Sequence, residues 1–234
     1  MSDLQKAAKR AVGQRVASMI APGMVVGLGT GSTAALAIEA LGERVKKEGL
    51  RILGVPTSFA SERLAREVGI ELTTLDQHPD LDIAFDGADE VDPNLTVIKG
   101  RGAAQTREKI VAAQAKQFIV LVDESKMVDV LGTKMPLPIE IVPMAATPIM
   151  NKLRQMGAEP ELRMGLKKDG PVVSDQGLWI LDAMFDKITN PEHVNTVLLH
   201  TPGVVDHGLF IGMATEVLVG KNDGTVERIV RATH

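Results

Sequence analysis

The chain contains no cysteine and no tyrosine, a single tryptophan, Trp179, and only 3% aromatic residues. Without cysteine there are no disulfides, thiolate nucleophiles or Cys-based zinc and iron–sulfur centres, which is compatible with a reducing cytoplasm. With so few aromatics the stacking platforms that hold single-stranded nucleic acid are nearly unavailable. Positive charge is not in excess either: 26 Lys plus Arg stand against 30 Asp plus Glu, a net charge of −4. No global field therefore gathers nucleic acid or an anionic membrane. The opening residues Met1-Ser2-Asp3-Leu4-Gln5-Lys6 lack the apolar stretch of a secretory signal, so export is not expected. One uncharged segment, Val16–Ile38, exceeds the roughly 20 residues of a membrane helix. Its Pro22, glycines and hydroxyl residues break it into helix end, turn, buried strand, loop and new helix. What remains is a globular composition, 44% hydrophobic and 24% charged over 234 residues, enough for one large domain or two modest ones.

Short apolar runs alternate with segments of helical spacing in the first half. Strands are predicted at Met24–Leu28, Arg51–Val55, Glu71–Leu75, Leu81–Phe85 and Phe118–Val122, rich in Val, Ile and Leu as doubly buried strands are. Helices are predicted at Leu4–Ile20, Thr33–Lys47 with Ser32 as N-cap, Ser58–Val68 and Thr106–Lys116, with Gly49 and Gly69 just past two of the ends. This alternation predicts a parallel sheet with helices on both faces and ligands outside the carboxyl ends of its strands. Near residue 131 the pattern changes to the proline-punctuated Pro136–Pro143. A smaller α+β domain is expected from there, with a helix at Thr147–Met156, strands near Pro160–Met164, Pro171–Val173 and Trp179–Asp182, and a helix near Pro191–Leu199. The last strands, Leu209–Met213, Glu216–Val219 and Val226–Val230, pair with one another or rejoin the first domain; the sequence allows both.

Four segments carry chemistry. Gly27-Leu28-Gly29-Thr30-Gly31-Ser32-Thr33 joins a strand to a helix start, where glycines allow close approach and free N–H groups suit a phosphate. It matches neither a dinucleotide fingerprint nor a Walker loop, and its plainer reading is an ordinary tight turn. Asp86-Gly87-Ala88-Asp89-Glu90-Val91-Asp92 crowds four carboxylates at a strand end, which calls for a cation, a basic neighbour or solvation as an acidic loop. Lys99-Gly100-Arg101-Gly102 precedes a helix bearing Glu108, which is either a dipole-favoured carboxylate or a general base. Lys126, just past another strand, and Lys9, on the first helix, are phosphate partners or surface lysines. The histidines His78, His193, His200, His207 and His234 have no metal-ligand spacing.

These motifs, with Ala103-Ala104 and Thr106-Arg107-Glu108-Lys109 in the same order and spacing, closely resemble the A-type ribose-5-phosphate isomerases over nearly the whole chain. The resemblance implies a cofactor-free, metal-free aldose–ketose isomerase interconverting ribose 5-phosphate and ribulose 5-phosphate in the pentose phosphate pathway. It further implies a cytoplasmic homodimer or homotetramer with no nucleic-acid or membrane partner. By position, Glu108 matches the family's base, and Asp86, Asp89 and Lys99 its other catalytic groups. Thr30, Gly31, Ser32, Thr33, Asp86, Gly87, Ala88, Asp89, Lys99, Gly100, Arg101, Gly102, Lys126 and Lys9 match its substrate-binding segments. The implied fold is a Rossmann-like domain from residues 1–130 and 208–234, with a smaller ferredoxin-like α+β domain at 131–207 that carries the oligomer interface. Crowding by Asp86 and Asp89 is expected to raise the Glu108 pKa. The alternatives are a non-catalytic sugar-phosphate-sensing domain, which needs neither Glu108 nor Lys99, and a metal-dependent enzyme using the Asp86–Asp92 acids.

Overall fold

The computed structural model describes residues 3–231; Met1, Ser2 and His234, named above, lie outside the described residues. The elements are, in chain order, α1 (Asp3–Met19), β1 (Val25–Leu28), α2 (Ser32–Glu48), β2 (Leu53–Pro56), α3 (Phe59–Val68), β3 (Glu71–Leu72) and β4 (Leu81–Gly87). Then follow β5 (Glu90–Val91), β6 (Val97–Ile98), α4 (Gln105–Ala113), β7 (Ala115–Asp123), β8 (Leu137–Ile141), α5 (Ala146–Gln155), β9 (Glu159–Leu162) and β10 (Trp179–Met184). The chain ends with α6 (Pro191–Leu199), β11 (Val204–His207), β12 (Leu209–Phe210), β13 (Glu216–Gly220) and β14 (Val226–Val230). No helix among the described residues is long and apolar enough to cross a membrane.

The chain divides into two compact units. The first comprises the residues up to Ala88, Arg107–Met127 and those from Gly212 onward. Its sheet runs β14-β13-β7-β4-β1-β2-β3, parallel throughout except for β14, which pairs antiparallel with β13. The last strands thus do both things the sequence allowed: β13 pairs with β14 and also with β7. Strand order reverses between β1 and β4, the switch point at which a parallel sheet opens a crevice beyond its carboxyl ends. Val26, Leu28, Ile83, Phe85, Ile119 and Leu121 are buried there among Val12 and Val16 of α1 and Ile38 and Leu41 of α2, which explains the Val/Ile/Leu-rich strands. Removing the fully buried Phe85 side chain would cost about 3–5 kcal/mol.

The second unit comprises Asp89–Thr106 and Val128–Ile211. Its main sheet has the order β11-β8-β10-β9, all antiparallel. With α5 between β8 and β9 and α6 between β10 and β11, this is the βαββαβ arrangement of a ferredoxin-like fold. A three-stranded sheet, β12-β6-β5, completes the unit.

Several details differ from the sequence expectations. Gly31, not Ser32, is the N-cap of α2, and Ser32 is its first helical residue. The helix expected over Thr106–Lys116 is α4, which stops at Ala113; Ala115 and Lys116 belong to β7, where Ala115 pairs with Leu81 of β4. Pro171–Val173 forms isolated bridges, Met164 to Pro171 and Val173 to Trp179, rather than a strand. The expected strands Glu71–Leu75 and Leu209–Met213 shrink to two residues each, and β5 and β6 were not foreseen. Where residues 131–207 were expected as the second domain, the second unit also takes in Asp89–Thr106 and extends over Val128–Ile211.

Candidate active site

In the first unit the glycine-rich loop leaves β1 beside the carboxyl end of β4, because Leu28 pairs with Phe85. A side chain on Gly29 would stand 2.4 Å from the Phe85 carbonyl oxygen and 2.5 Å from Cγ of Asp86, so only glycine fits. The loop and the carboxylate are tied directly. Thr30 N–H donates to Asp86 Oδ1 at 3.0 Å and Gly87 N–H to the same oxygen at 2.7 Å, which fixes a carboxylate only 2% exposed. The Thr30 hydroxyl lies 2.7 Å from those of Thr57 and Ser58, at the carboxyl end of β2.

Gly31, at φ 96°, turns the chain into α2, and no side chain caps the first turn; the first helical bond is Ala35 N–H to Gly31 O at 2.9 Å. The N–H groups of that turn carry the positive end of the helix dipole. Lys9 Nζ donates to Ser32 Oγ at 3.0 Å, adding an ammonium at the same place. A Cβ on Gly87 would stand 3.9 Å from Cβ of Thr33, so the two motifs approach each other.

Glu108 lies in the first turn of α4 and is 4% exposed. Its neighbour Arg107 donates to the carbonyls of Thr57 at 3.1 Å and Pro56 at 3.5 Å, and its guanidinium carbon sits 5.6 Å from the Phe59 ring centre. The start of α4 is thereby anchored to the carboxyl end of β2. Lys126 closes the 3₁₀ turn Glu124–Lys126 after β7, on the same carboxyl edge of the sheet. Asp123 caps that turn by accepting from Ser125 N–H at 3.1 Å.

The second unit holds Asp89 and Lys99 to Gly102. Asp89 N–H donates to Ile98 O at 2.8 Å, and Arg101 N–H donates to Asp89 Oδ2 at 3.2 Å. Lys99 is 3% exposed, with its N–H on Gly208 O at 2.9 Å and its ammonium 5.6 Å from the centre of the Phe210 ring, an attractive arrangement for a cation. Ala88 and Asp89 mark one crossing of the chain between the units, and Thr106 and Arg107 the next, so Asp86, Asp89 and Glu108, expected from the sequence as catalytic groups, stand next to a crossing in sequence.

The acidic run resolves differently from the readings open to the sequence. Glu90, fully buried, accepts from the N–H groups of Gly132 at 2.6 Å, Lys134 at 2.6 Å and Met135 at 2.7 Å. Asp92 accepts from Asn94 N–H at 2.9 Å and Thr96 N–H at 2.8 Å, while burial pushes its carboxyl above the ordinary value. Two of the four acids are therefore structural caps. Among the described residues no three His, Asp or Glu converge as a metal site. Sequence reading passed over Thr57 and Ser58 and gave Arg107 no role of its own; a signal was available for the first two, since Thr57-Ser58 also follows a strand's carboxyl end. It likewise passed over Arg163 and Asp182, which no local pattern marks.

Comparison with known proteins gives one answer. The family model described as ribose 5-phosphate isomerase A (phosphoriboisomerase A) matches residues 53–224. The ribose-5-phosphate isomerase A of Thermosynechococcus vestitus is 52% identical over 94% of this chain and 93% of its own. That of Methanosarcina acetivorans is 50% identical over 95% and 94%. Among solved structures, a D-ribose-5-phosphate isomerase in complex with phospho-erythronic acid superposes with a TM-score of 0.93 at 48% identity, covering 96% of this chain and 98% of that one. The ribose 5-phosphate isomerase A of Methanocaldococcus jannaschii does so with 0.91 at 44%, covering 95% and 98%. The sensing-domain alternative gains no support from these relatives. With the uncapped helix start, the anchored Asp86 and the buried Glu108 in place, the chain belongs to the ribose 5-phosphate isomerase A family and is an aldose–ketose isomerase.

Proposed function

We propose that this isomerase interconverts D-ribose 5-phosphate and D-ribulose 5-phosphate through an enediolate, with Glu108 carrying the proton and with neither metal nor organic cofactor. The observation that carries the reading is the uncapped start of α2 with the Lys9 ammonium on Ser32, tied through Thr30 to the Asp86 carboxylate. A phosphate held by Thr30, Gly31, Ser32 and Thr33, with Lys9 and Lys126, anchors the substrate away from the reacting carbons, so that binding energy orients them.

After the sugar ring opens, Glu108 removes the proton from C2 of the aldose and returns it to C1. In the same exchange the C2 hydroxyl loses its proton and the C1 oxygen gains one. The Lys99 ammonium supplies positive charge where the oxygen becomes negative, worth about 3 kcal/mol when well placed. Asp86 and Asp89, each oriented by backbone N–H groups, serve the hydroxyl protons and ring opening, and Gly87, Ala88, Gly100, Arg101 and Gly102 bind the sugar. The complex of the related isomerase with phospho-erythronic acid supports this route. The carboxylate of a phosphorylated acid one carbon shorter than the pentose presents the planar oxygen pair of an enediolate.

The same reading puts the enzyme in the cytoplasm as a homodimer or homotetramer, without nucleic-acid or membrane partners. The apolar side chains exposed in the second unit, Met144 at 90% together with Val142, Leu199 and Val205, support self-association there, and a monomer by light scattering would refute it. The chemistry is tested by following ketose formation from ribose 5-phosphate by purified protein in EDTA. Undiminished turnover is expected; activity abolished by the chelator would overturn the metal-free reading.

A further inference from the structure

Arg163, directly after β9, extends its guanidinium toward the Lys99–Gly102 loop of its own unit. Nε donates to Asp182 Oδ2 at 2.7 Å and Nη2 to Asp182 Oδ1, a two-point fork that fixes the guanidinium plane. Asp182 is itself held in β10, paired with Pro138 of β8 and Glu161 of β9. The remaining nitrogen, Nη1, donates to Gly100 O at 3.0 Å and to Arg101 O at 3.1 Å. The Arg163 backbone is pinned as well, its N–H on Ile180 O at 2.9 Å and its carbonyl under Val172 N–H at 2.8 Å. The clamp is thus built on the sheet and reaches only backbone of the loop.

That loop takes backbone conformations closed to most residues, free of cost at Gly100 and strained at Ala103. Gly100 has φ 109°, and Ala103 has φ 58°, the left-handed region that an alanine keeps only where its surroundings impose it. A carbonyl and the N–H of the same trans peptide point in opposite directions. Gripping the Gly100 carbonyl therefore turns Arg101 N–H toward Asp89 Oδ2, where it donates at 3.2 Å. Gripping the Arg101 carbonyl likewise turns Gly102 N–H away from the guanidinium. A cation on these carbonyls also polarises both peptides and strengthens the opposite N–H groups as donors.

We propose that Arg163, its plane set by Asp182, is a positioning residue of the isomerase. It does not touch substrate; it aims the Arg101 and Gly102 N–H groups and the Asp89 carboxylate through the two carbonyls it holds. This rests on the assignment of Asp89 and Lys99–Gly102 to the active site. Lysine cannot replace it, because an ammonium is a point charge without the fork that joins Asp182 to two carbonyls.

The test is Arg163→Ala, Arg163→Lys and Asp182→Asn beside the parent, with kcat and KM for ribose 5-phosphate normalised to folded protein. Arg163→Ala is expected to lose about 30-fold in kcat, with KM changed less than about threefold, the pattern of a misaligned site rather than lost binding. Arg163 borders a cavity of about 520 Å³ shared with Asp89, Arg101 and Gly102, so added guanidinium has a route to the vacated place. Sub-denaturing guanidinium chloride is expected to restore about tenfold, while sodium chloride at equal ionic strength restores nothing. Arg163→Lys is expected to stay near the Ala level, and Asp182→Asn to lose about fivefold. If Arg163→Ala does not fold, Arg163→Lys and Asp182→Asn carry the test through the same kcat-against-KM split. An active parent with unaltered kcat in these variants, full activity in Arg163→Lys, or no guanidinium rescue overturns the clamp alone. A parent without ribose 5-phosphate turnover overturns the underlying assignment, and the clamp with it.

Discussion

Replacing Gly29 with alanine puts a methyl where the structure has no room. Its Cβ would lie 2.4 Å from Phe85 O, 2.5 Å from Asp86 Cγ and 2.6 Å from Asp86 Oδ1, against the 3.4 Å at which ordinary contact begins. The Phe85 carbonyl is backbone and the Asp86 carboxylate is held by the Thr30 and Gly87 N–H groups, so the loop and β4 must separate by about 1 Å. Overpacking of this kind costs about 1–3 kcal/mol, and the separation also breaks the Thr30 N–H to Asp86 bond, worth about 1.5–3 kcal/mol for a charged acceptor. A total near 4 kcal/mol, at about 2–4 °C per kcal/mol, lowers Tm by roughly 8–16 °C. The same displacement moves the loop proposed to hold the phosphate relative to Asp86, so kcat should fall about 100-fold even at temperatures where the variant is folded. Thermal unfolding by circular dichroism and ketose formation measure the two effects separately. Gly49→Ala is the control: at φ 67°, with nothing within 4 Å of its Cβ, it should cost about 1 kcal/mol of backbone strain and leave kcat unchanged. A Gly29→Ala variant with Tm within about 1 °C and kcat within about twofold of the parent would refute the argument.

Ser32→Ala removes the hydroxyl that Lys9 holds at the helix start; KM for ribose 5-phosphate should rise about tenfold with little change in kcat, and an equal loss on unphosphorylated ribose would count against the phosphate role. Asp92 makes a pH prediction. Burial raises its pKa, so between the ordinary 3.8 and the raised value the folded state binds more protons than the unfolded one, and this group's contribution to stability falls as pH rises through that window. Asp92→Asn should gain stability relative to the parent across the same window, read as Tm against pH, and parallel curves would contradict it.

The parallel sheet was legible because strands buried on both faces must be continuous apolar runs, as Ile83-Ala84-Phe85 and Ile119-Val120-Leu121 are. The end of α4 was not, since Gln114-Ala115-Lys116 has the composition of a helix and becomes strand only through pairing with Leu81 across the sheet. The Gly29–Thr33 loop announced itself by glycine and hydroxyl residues at a strand-to-helix junction. The fates of Glu90 and Asp92 did not: their partners Gly132, Lys134, Met135 and Thr96 are backbone amides, invisible in side-chain identity. Arg163 is hidden for the same reason, because it acts on carbonyls 62 and 63 residues away. Long-range contacts to backbone leave no local pattern, whereas a site at the end of a strand does.

The central claim, that Glu108 carries the proton in a metal-free isomerisation, is tested most directly by kcat and KM of Glu108→Gln on ribose 5-phosphate in EDTA. The amide keeps the shape of the buried side chain but cannot accept and return a proton. The account predicts a fall in kcat of about a thousandfold or more, with KM within about threefold of the parent. A variant that retains kcat within about tenfold would contradict it and remove Glu108 as the base.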